Sequence, residues 1–293
     1  MHMEKIGMIG LGVMGHSVAE NLIKGGYRLV LFDIRPEAME DLIAQGAESV
    51  GSLQELGGAV DTVIMMVNSF PQCQSVMGSL LETMDHGTII NLGTIAMDDA
   101  ISLEKMANAR GVTMMDCPVS GGSAGAKEGT LTVMASGADE LFERYKPMFE
   151  CFGKKVIHVG PKAGQGQAVK AVNQLLVGVH MCATAEAFTL ATKCGLDLPL
   201  VYETICSSAG MSRIFENRGQ FLIDRNFNTR STLQIQLKDT DIACKTAEAA
   251  GAPMFLGNTA RELFKLAVKK YPPTDDSLEV VRLYEELCGL EIE

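Results

Sequence analysis

Near the start of the chain an apolar run, Ile6-Gly7-Met8-Ile9, leads straight into Gly10-Leu11-Gly12-Val13-Met14-Gly15, and this spacing of glycines restricts the fold more than any other feature. A helical stretch through Ala19, Leu22 and Ile23 follows and stops at Gly25-Gly26. A second apolar strand, Leu29-Val30-Leu31-Phe32, then ends in Asp33. Each glycine has its own physical use. Gly10 permits the tight turn from strand to helix, Gly12 lets the backbone approach a pyrophosphate, and Gly15 lets helix and strand pack closely. The positive end of the helix dipole faces the same point. Asp33 falls about 20 residues further on, where a carboxylate meets an adenosine ribose. Strand, glycine turn, helix and closing acid together define a dinucleotide site. Its candidate cofactor-binding residues are Gly10, Leu11, Gly12, Val13, Met14, Gly15 and Asp33. NAD is the expected cofactor, because Asp33 can accept both ribose hydroxyls and repels a 2′-phosphate. Arg35 nearby leaves NADP as the second choice.

Strand and helix signals alternate through the first half. Thr62 to Val67 and Thr88 to Leu92 are continuous apolar strands, and a helical stretch runs from Asp98 to Ala109. Val112–Met115, Leu131–Met134 and Val156–Val159 read as later strands. Such alternation implies a mostly parallel sheet with helices on both faces. From about Gly166 the strand signals vanish. Gln167 to about Lys193 reads as one helix of about 40 Å, long enough to run between two lobes. Further helices fit Leu200–Ser207, Arg213–Ile223, Thr232–Ala250, Met254–Lys270 and Asp276–Cys288. The expected class is α/β. A Rossmann domain with a doubly wound sheet covers 1–162, and an all-helical domain for substrate and subunit contacts covers 163–293.

The chain has 293 residues, 47% hydrophobic and 21% charged, enough for about two domains with a sizeable core. Its net charge of −11 argues against nucleic acid and anionic membrane surfaces as partners. No apolar stretch is expected to reach the roughly 20 residues of a membrane span. The early glycines interrupt any secretory pattern, so a cytoplasmic location is expected. The eight cysteines form no C-x-x-C pair and do not cluster with the five histidines, so no metal site is expected. They read as small buried hydrophobes in a reducing compartment.

Three further stretches carry chemistry. Asp116-Cys117-Pro118-Val119-Ser120-Gly121-Gly122-Ser123-Ala124-Gly125 follows a strand and is rich in glycine and serine, whose backbone N–H and hydroxyl groups can face an anion. In Gly164-Gln165-Gly166-Gln167-Ala168-Val169-Lys170-Ala171-Val172-Asn173-Gln174, Lys170 and Asn173 project from one helix face. Lys170 sits among Ala168, Val169, Ala171 and Val172, and a lysine desolvated in this way can exchange a proton near neutrality. The third stretch is Lys238-Asp239, which alone reads as a solvated charge patch.

Together these stretches resemble the β-hydroxyacid dehydrogenase family from Gly7 to about Gly289. The matching residues are Gly7-x-x-Gly10-x-Gly12-x-Met14-Gly15 with Ala19-x-Asn21-Leu22, then Asp116-x-Pro118-Val119-Ser120-Gly121-Gly122 with Gly129-Thr130-Leu131, then Gly166-x-x-x-Lys170-x-x-Asn173. The resemblance implies that Lys170 is the general acid in carbonyl reduction and the general base in alcohol oxidation. It implies that Ser120, Gly121 and Gly122 bind a substrate carboxylate and that Asn173, with Gln174 beside it, holds the substrate. Thr94 would approach the nicotinamide, Val67 would line the cofactor site, Lys238 would close over the cofactor, and Asp239 would support Lys238. A small carboxylate substrate and a homodimer or homotetramer are implied as partners. 2-Hydroxy-3-oxopropionate (tartronate semialdehyde) and 3-hydroxyisobutyrate are the first substrates implied.

Three positions depart from the family pattern. Asn173-Gln174 stands where Asn-Asn is commoner, and tartronate semialdehyde reductases can share this Asn-Gln pair. Ser231, next to Arg230, stands where many relatives carry Phe. Arg213 falls in a segment that reaches the active site in relatives, and a second cation would favour a dianionic substrate such as 2-(hydroxymethyl)glutarate. Two other classes are disfavoured. A non-catalytic binding module would have lost Lys170, and a decarboxylating enzyme of the 6-phosphogluconate dehydrogenase type calls for a longer helical domain and a cluster of cations.

Overall fold

A strand covered on both faces must be apolar at every position, and the central strands of this protein have that character. The structure, a computed structural model, describes residues 4–227 and 231–292. Its strands are β1 (Lys5–Ile9), β2 (Arg28–Phe32), β3 (Glu48–Ser49), β4 (Thr62–Met65), β5 (Thr88–Asn91), β6 (Thr113–Asp116), β7 (Val119–Ser120), β8 (Leu131–Ser136) and β9 (Gly153–Gly160). They form one sheet in the order β3-β2-β1-β4-β5-β6-β8-β7, with β9 added to β8. Pairing is parallel from β3 to β6 and between β8 and β9. It is antiparallel where β8 meets β6 and β7.

The helices of this part are α1 (Val13–Lys24), α2 (Glu40–Ala44), α3 (Leu53–Ala59), α4 (Phe70–Leu80), α5 (Met97–Asn108), α6 (Gly122–Glu128) and α7 (Asp139–Phe149). Strand side chains alternate between two cores. Met8, Leu29, Leu31, Ile64, Ile90 and Met115 pack with α1, α2 and α7 residues such as Leu22, Leu42 and Phe149. Ile9, Val30, Val63, Met65, Ile89 and Met114 pack with α3, α4 and α5 residues such as Leu56, Met77 and Leu103. The sheet is therefore doubly wound. The chain reverses its strand order at β1, whose carboxyl end carries the glycine turn, the place where open α/β sheets bind ligands.

Helix α8 (Gln165–Lys193) opens the second half, followed by α9 (Leu198–Cys206), α10 (Arg213–Ile223), α11 (Leu233–Ala249), α12 (Phe255–Lys270) and α13 (Val281–Cys288). Contacts divide the chain into two compact units, Met1–Lys170 and Ala171–Glu293. The second unit has its own core, built around Met181, Ala185, Phe188, Phe215, Phe264 and Val281. The expected single helix over 276–288 is instead a 3₁₀ turn, Ser277–Val280, followed by α13. Asp276 accepts from the Leu278 N–H and also receives the buried Arg218 guanidinium, which starts the tight turn.

One expectation needs correction. By length and composition α8 could cross a membrane, with a mean hydropathy of 1.4 over its most apolar window. The reason lies in its Ala, Leu, Val and Met content. Those side chains include Met181, Cys182, Ala185, Phe188 and Ala191, which are buried in the second unit's own core. All eight cysteines are free thiols; Cys73, Cys117, Cys182 and Cys244 are buried as small hydrophobes, whereas Cys194 is exposed.

Candidate active site

At the end of β1 the backbone turns through Gly10 at φ +86°, and a Cβ there would lie 2.5 Å from the Met66 carbonyl oxygen. A Cβ on Gly15 would lie 1.9 Å from the Gly10 oxygen, so α1 can pack on the turn only with glycine there. Gly12 is different: nothing lies within 4 Å of its missing side chain. It caps α1, which has neither a side-chain cap nor an acidic residue in its first turn. The first N–H groups of α1 are thus left for an outside acceptor. Open space plus unclaimed donors at a positive helix end fits a dinucleotide pyrophosphate. Val13 is exposed beside this turn and Met14 half-buried. Leu11 contributes through its backbone, since its side chain is in the core.

The Asp33 side chain is only 7% exposed. Its Oδ2 accepts from the Leu11 N–H at 2.7 Å, which ties the end of β2 to the glycine turn. Its Oδ1 accepts from the Arg35 N–H at 2.9 Å, and the Arg35 Nε lies 3.5 Å from the same oxygen. Val67 packs next to Gly10, with its Cγ1 3.2 Å from where a Gly10 Cβ would stand. Gly10, Asp33 and Val67 all lie just past the carboxyl ends of their strands, β1, β2 and β4.

Thr94 is half-buried in the loop after β5. On either side of it the loop is held by one side chain. Gln167 Nε2 donates to the Gly93 carbonyl at 2.9 Å, and Gln167 Oε1 accepts from the Ile95 N–H at 3.1 Å. Gln167 Nε2 also donates to Asp116 Oδ1 at 2.7 Å, and the Gln167 N–H donates to Asp116 Oδ2 at 3.1 Å. Ser136 completes the cluster, donating to the Asp116 carbonyl and accepting from the Gly166 N–H. Burial pushes the Asp116 carboxyl up to about 6, against the lowering effect of its hydrogen bonds from Gln167, Gly164 and Asn91. Neither Gln167 nor Asp116 was expected as a site residue. The available signals were a glutamine between small residues in the Gly164–Gln174 stretch and an acid at the end of an apolar strand.

Beyond Asp116 the chain passes through Ser120 to Gly121 and Gly122, whose φ angles are +137° and +66°. Nothing lies within 4 Å of the missing Gly122 side chain. Asn21 Nδ2 donates to the Ala126 carbonyl at 2.7 Å, so α1 holds the helix that follows this loop. Lys170, one turn along α8 from Gln167, is 6% exposed.

In the second unit, Asn173 Nδ2 donates to Gln174 Oε1 at 2.8 Å, and Gln174 Nε2 donates to Asp239 Oδ2 at 2.6 Å. Lys238 Nζ lies 2.9 Å from Asp239 Oδ1. Four sequence-marked residues are thus linked by two hydrogen bonds and one ion pair, and Lys238-Asp239 is not a solvated patch. Gln174 is buried and spends its amide inside this chain. Arg213, on the first turn of α10, has a side chain 85% exposed and stands 3.9 Å from Glu216. Ser231 accepts through its carbonyl from the Ser277 N–H. Arg230 lies outside the described residues.

A doubly wound sheet with an open, uncapped glycine turn and a nearly buried acid just after the next strand defines a dinucleotide-binding fold. Residues 5–160 match the NAD binding domain of 6-phosphogluconate dehydrogenase, and residues 164–284 match the NAD-binding domain of NADP-dependent 3-hydroxyisobutyrate dehydrogenase. The chain is 32% identical over 284 residues to L-threonate dehydrogenase of Pectobacterium atrosepticum, covering 95% of this chain and 93% of that one. It is 35% identical over 264 residues to 2-hydroxy-3-oxopropionate reductase of Escherichia coli, covering 89% and 90%. A crystal structure of 3-hydroxyisobutyrate dehydrogenase from Salmonella typhimurium matches with a TM-score of 0.86 at 33% identity, covering 96% and 99%. The protein belongs to the β-hydroxyacid dehydrogenase family and is an NAD(P)-dependent enzyme of that family.

Proposed function

We propose that this enzyme interconverts a small β-hydroxy acid and its semialdehyde, with Lys170 handling the proton. The observation that carries this reading is a lysine 6% exposed, three residues before Asn173 on α8. A nicotinamide dinucleotide held at the Gly10–Gly15 turn would supply or accept the hydride. Lys170 Nζ gives a proton to the carbonyl oxygen in reduction and takes it from the hydroxyl in oxidation. Its charge also polarises that oxygen. Backbone N–H groups at Ser120, Gly121 and Gly122 hold the carboxylate, the open side of Gly122 leaving room for it. Asn173 orients the substrate. Gln174 serves by fixing the Asn173 amide through the bond it accepts from it. Thr94 and Val67 would line the cofactor site, and Lys238 is steadied by Asp239 within the second unit.

The preferred substrates are 2-hydroxy-3-oxopropionate and methylmalonate semialdehyde, the aldehyde formed from 3-hydroxyisobutyrate, each with one carboxylate. L-Threonate, which names one relative, joins them as a further monoanionic acid. A dianionic substrate such as 2-(hydroxymethyl)glutarate is the second reading, and the solvated position of Arg213 gives it less support. The domain roles follow: 1–162 holds the dinucleotide and the substrate carboxylate, and 163–293 supplies Lys170, Asn173 and the subunit contacts. Exposed Val172, Leu176, Phe255 and Leu256 on helices of the second unit favour self-association. Free thiols throughout fit a cytoplasmic setting.

The test is oxidation of NADH with a panel of succinic, tartronate and methylmalonate semialdehydes, and the reverse reaction with L-threonate and 3-hydroxyisobutyrate. Wild type should turn over at least one monoanionic substrate. Lys170→Ala should lose a factor of about 10² to 10⁴ in kcat while binding NADH nearly as wild type does. Residual activity within a few-fold of wild type would remove Lys170 from its role.

A further inference from the structure

Gln167 is 1% exposed and uses every polar atom of its side chain. One N–H reaches the Gly93 carbonyl, the other reaches Asp116, and the oxygen accepts from Ile95. Gly93 and Ile95 flank Thr94. Asp116 is the last residue of β6, directly before Cys117-Pro118 and the Ser120–Gly122 loop. Gln167 itself lies on the first turn of α8, one turn before Lys170. We propose that Gln167 is a positioning residue: a single buried amide sets the cofactor loop, the strand entering the substrate loop and the lysine-bearing turn in one mutual register. This rests on the reading of Thr94, Ser120 and Lys170 as site residues.

The chemistry explains why the position takes glutamine. Glutamate offers no N–H to either the Gly93 carbonyl or Asp116. Asparagine is one methylene short of the loop. Leucine fills the space but leaves Ile95 N–H, the Gly93 carbonyl and one Asp116 oxygen without this partner, and buried polar groups left so are costly. Loops tend to be mobile, and misplacing a reacting group by about 1 Å can cost roughly 10²-fold in rate. A clamp on both sides of Thr94 removes that freedom.

The groups facing Asp116 are Gln167 and Gly164 at the start of α8, Asn91 of β5 and Ser136 of β8, none of which titrates. Cys117 is its titratable neighbour, and its thiol is held protonated by burial and by the Asp116 charge. A carboxylate introduced at 167 therefore meets Asp116, with the Lys170 ammonium one turn along α8 as the neighbouring cation, and the two carboxylates share a proton at low pH. As pH rises and that proton leaves, the two carboxylates repel and the clamp opens.

The experiment compares full-length wild type, Gln167→Leu and Gln167→Glu between pH 5.5 and 8.5. The readouts are kcat, KM, NADH affinity by fluorescence, thermal midpoint and amide hydrogen exchange. Gln167→Leu should lower kcat ten- to hundredfold at every pH, with NADH affinity within about threefold because the Gly10–Gly15 turn and Asp33 are untouched. Exchange in the segment 92–96 should quicken while that of α1 stays as in wild type. Gln167→Glu should approach wild-type kcat at low pH and fall away from it as pH rises. A residue with only a structural role would lower the thermal midpoint but leave kcat, its pH profile and exchange at 92–96 unchanged, and that result overturns the proposal. Should Gln167→Leu fail to fold, a flat kcat ratio for Gln167→Glu overturns it equally. Wild-type activity in Lys170→Ala would instead defeat the lysine reading, whatever Gln167 does.

Discussion

We propose that cofactor choice is decided at Asp33. Its carboxylate is nearly buried, and both its oxygens accept backbone N–H bonds. The Arg35 guanidinium, more than half exposed, pairs with it at 3.5 Å. Such a pair is worth roughly 0–1 kcal/mol, so Arg35 could leave at little cost. A 2′-phosphate beside a shielded aspartate meets a larger repulsion than that arginine recovers. Wild type should therefore prefer NADH to NADPH. Asp33→Asn keeps an acceptor for the Leu11 N–H and removes the charge, and it should raise the ratio of kcat/KM for NADPH over NADH by about tenfold or more. Steady-state kinetics with one substrate checks this. Preference for NADPH in wild type, or no gain in the variant, would show that Arg35 governs instead. The glycine turn was legible in the sequence, and Lys170 was marked there as a candidate, because their spacing is local. Gln167 was not, because its partners at 93, 95 and 116 are distant in sequence.

At the level of elements, the start of α8 and the end of β6 carry a pH-dependent term. Burial raises the Asp116 carboxyl from its ordinary 3.8 to about 6. The folded state then binds a proton between these values that the unfolded state does not. Its contribution to stability is full below about pH 4 and is lost as pH rises through about 6, by roughly 3 kcal/mol at most. Thermal midpoints of wild type and Asp116→Asn, taken from pH 4 to 7, should show wild type gaining on the variant as pH falls. A constant difference would mean that Asp116 does not titrate in this window. Long helices such as Arg213–Ile223 coincide with their sequence periodicity. The short strands β3 and β7 escaped notice, since a two-residue strand has no period of its own and exists through its neighbour's hydrogen bonds.

At the scale of the whole molecule, the exposed apolar residues of the second unit, Phe255 at 83% exposure among them, should be covered by another copy of the chain. Sedimentation at micromolar concentration should give a stable dimer or tetramer; a stable monomer would refute this. The amino-acid sequence by itself determined the class of fold, the change from alternating strands and helices to helices alone, the dinucleotide turn and the family. Those depend on periodicity and on residue types at short, fixed spacing, which any reader of the chain can see. Tertiary structure alone decided that β8 runs against β6 and β7, that a polar side chain on α8 clamps the loop of Thr94, and that Lys238 reaches Asn173 through Asp239 and Gln174. These are contacts between residues far apart in the chain. They arise because burying a polar group demands a partner, and which partner is near is set only once the strands and helices have packed.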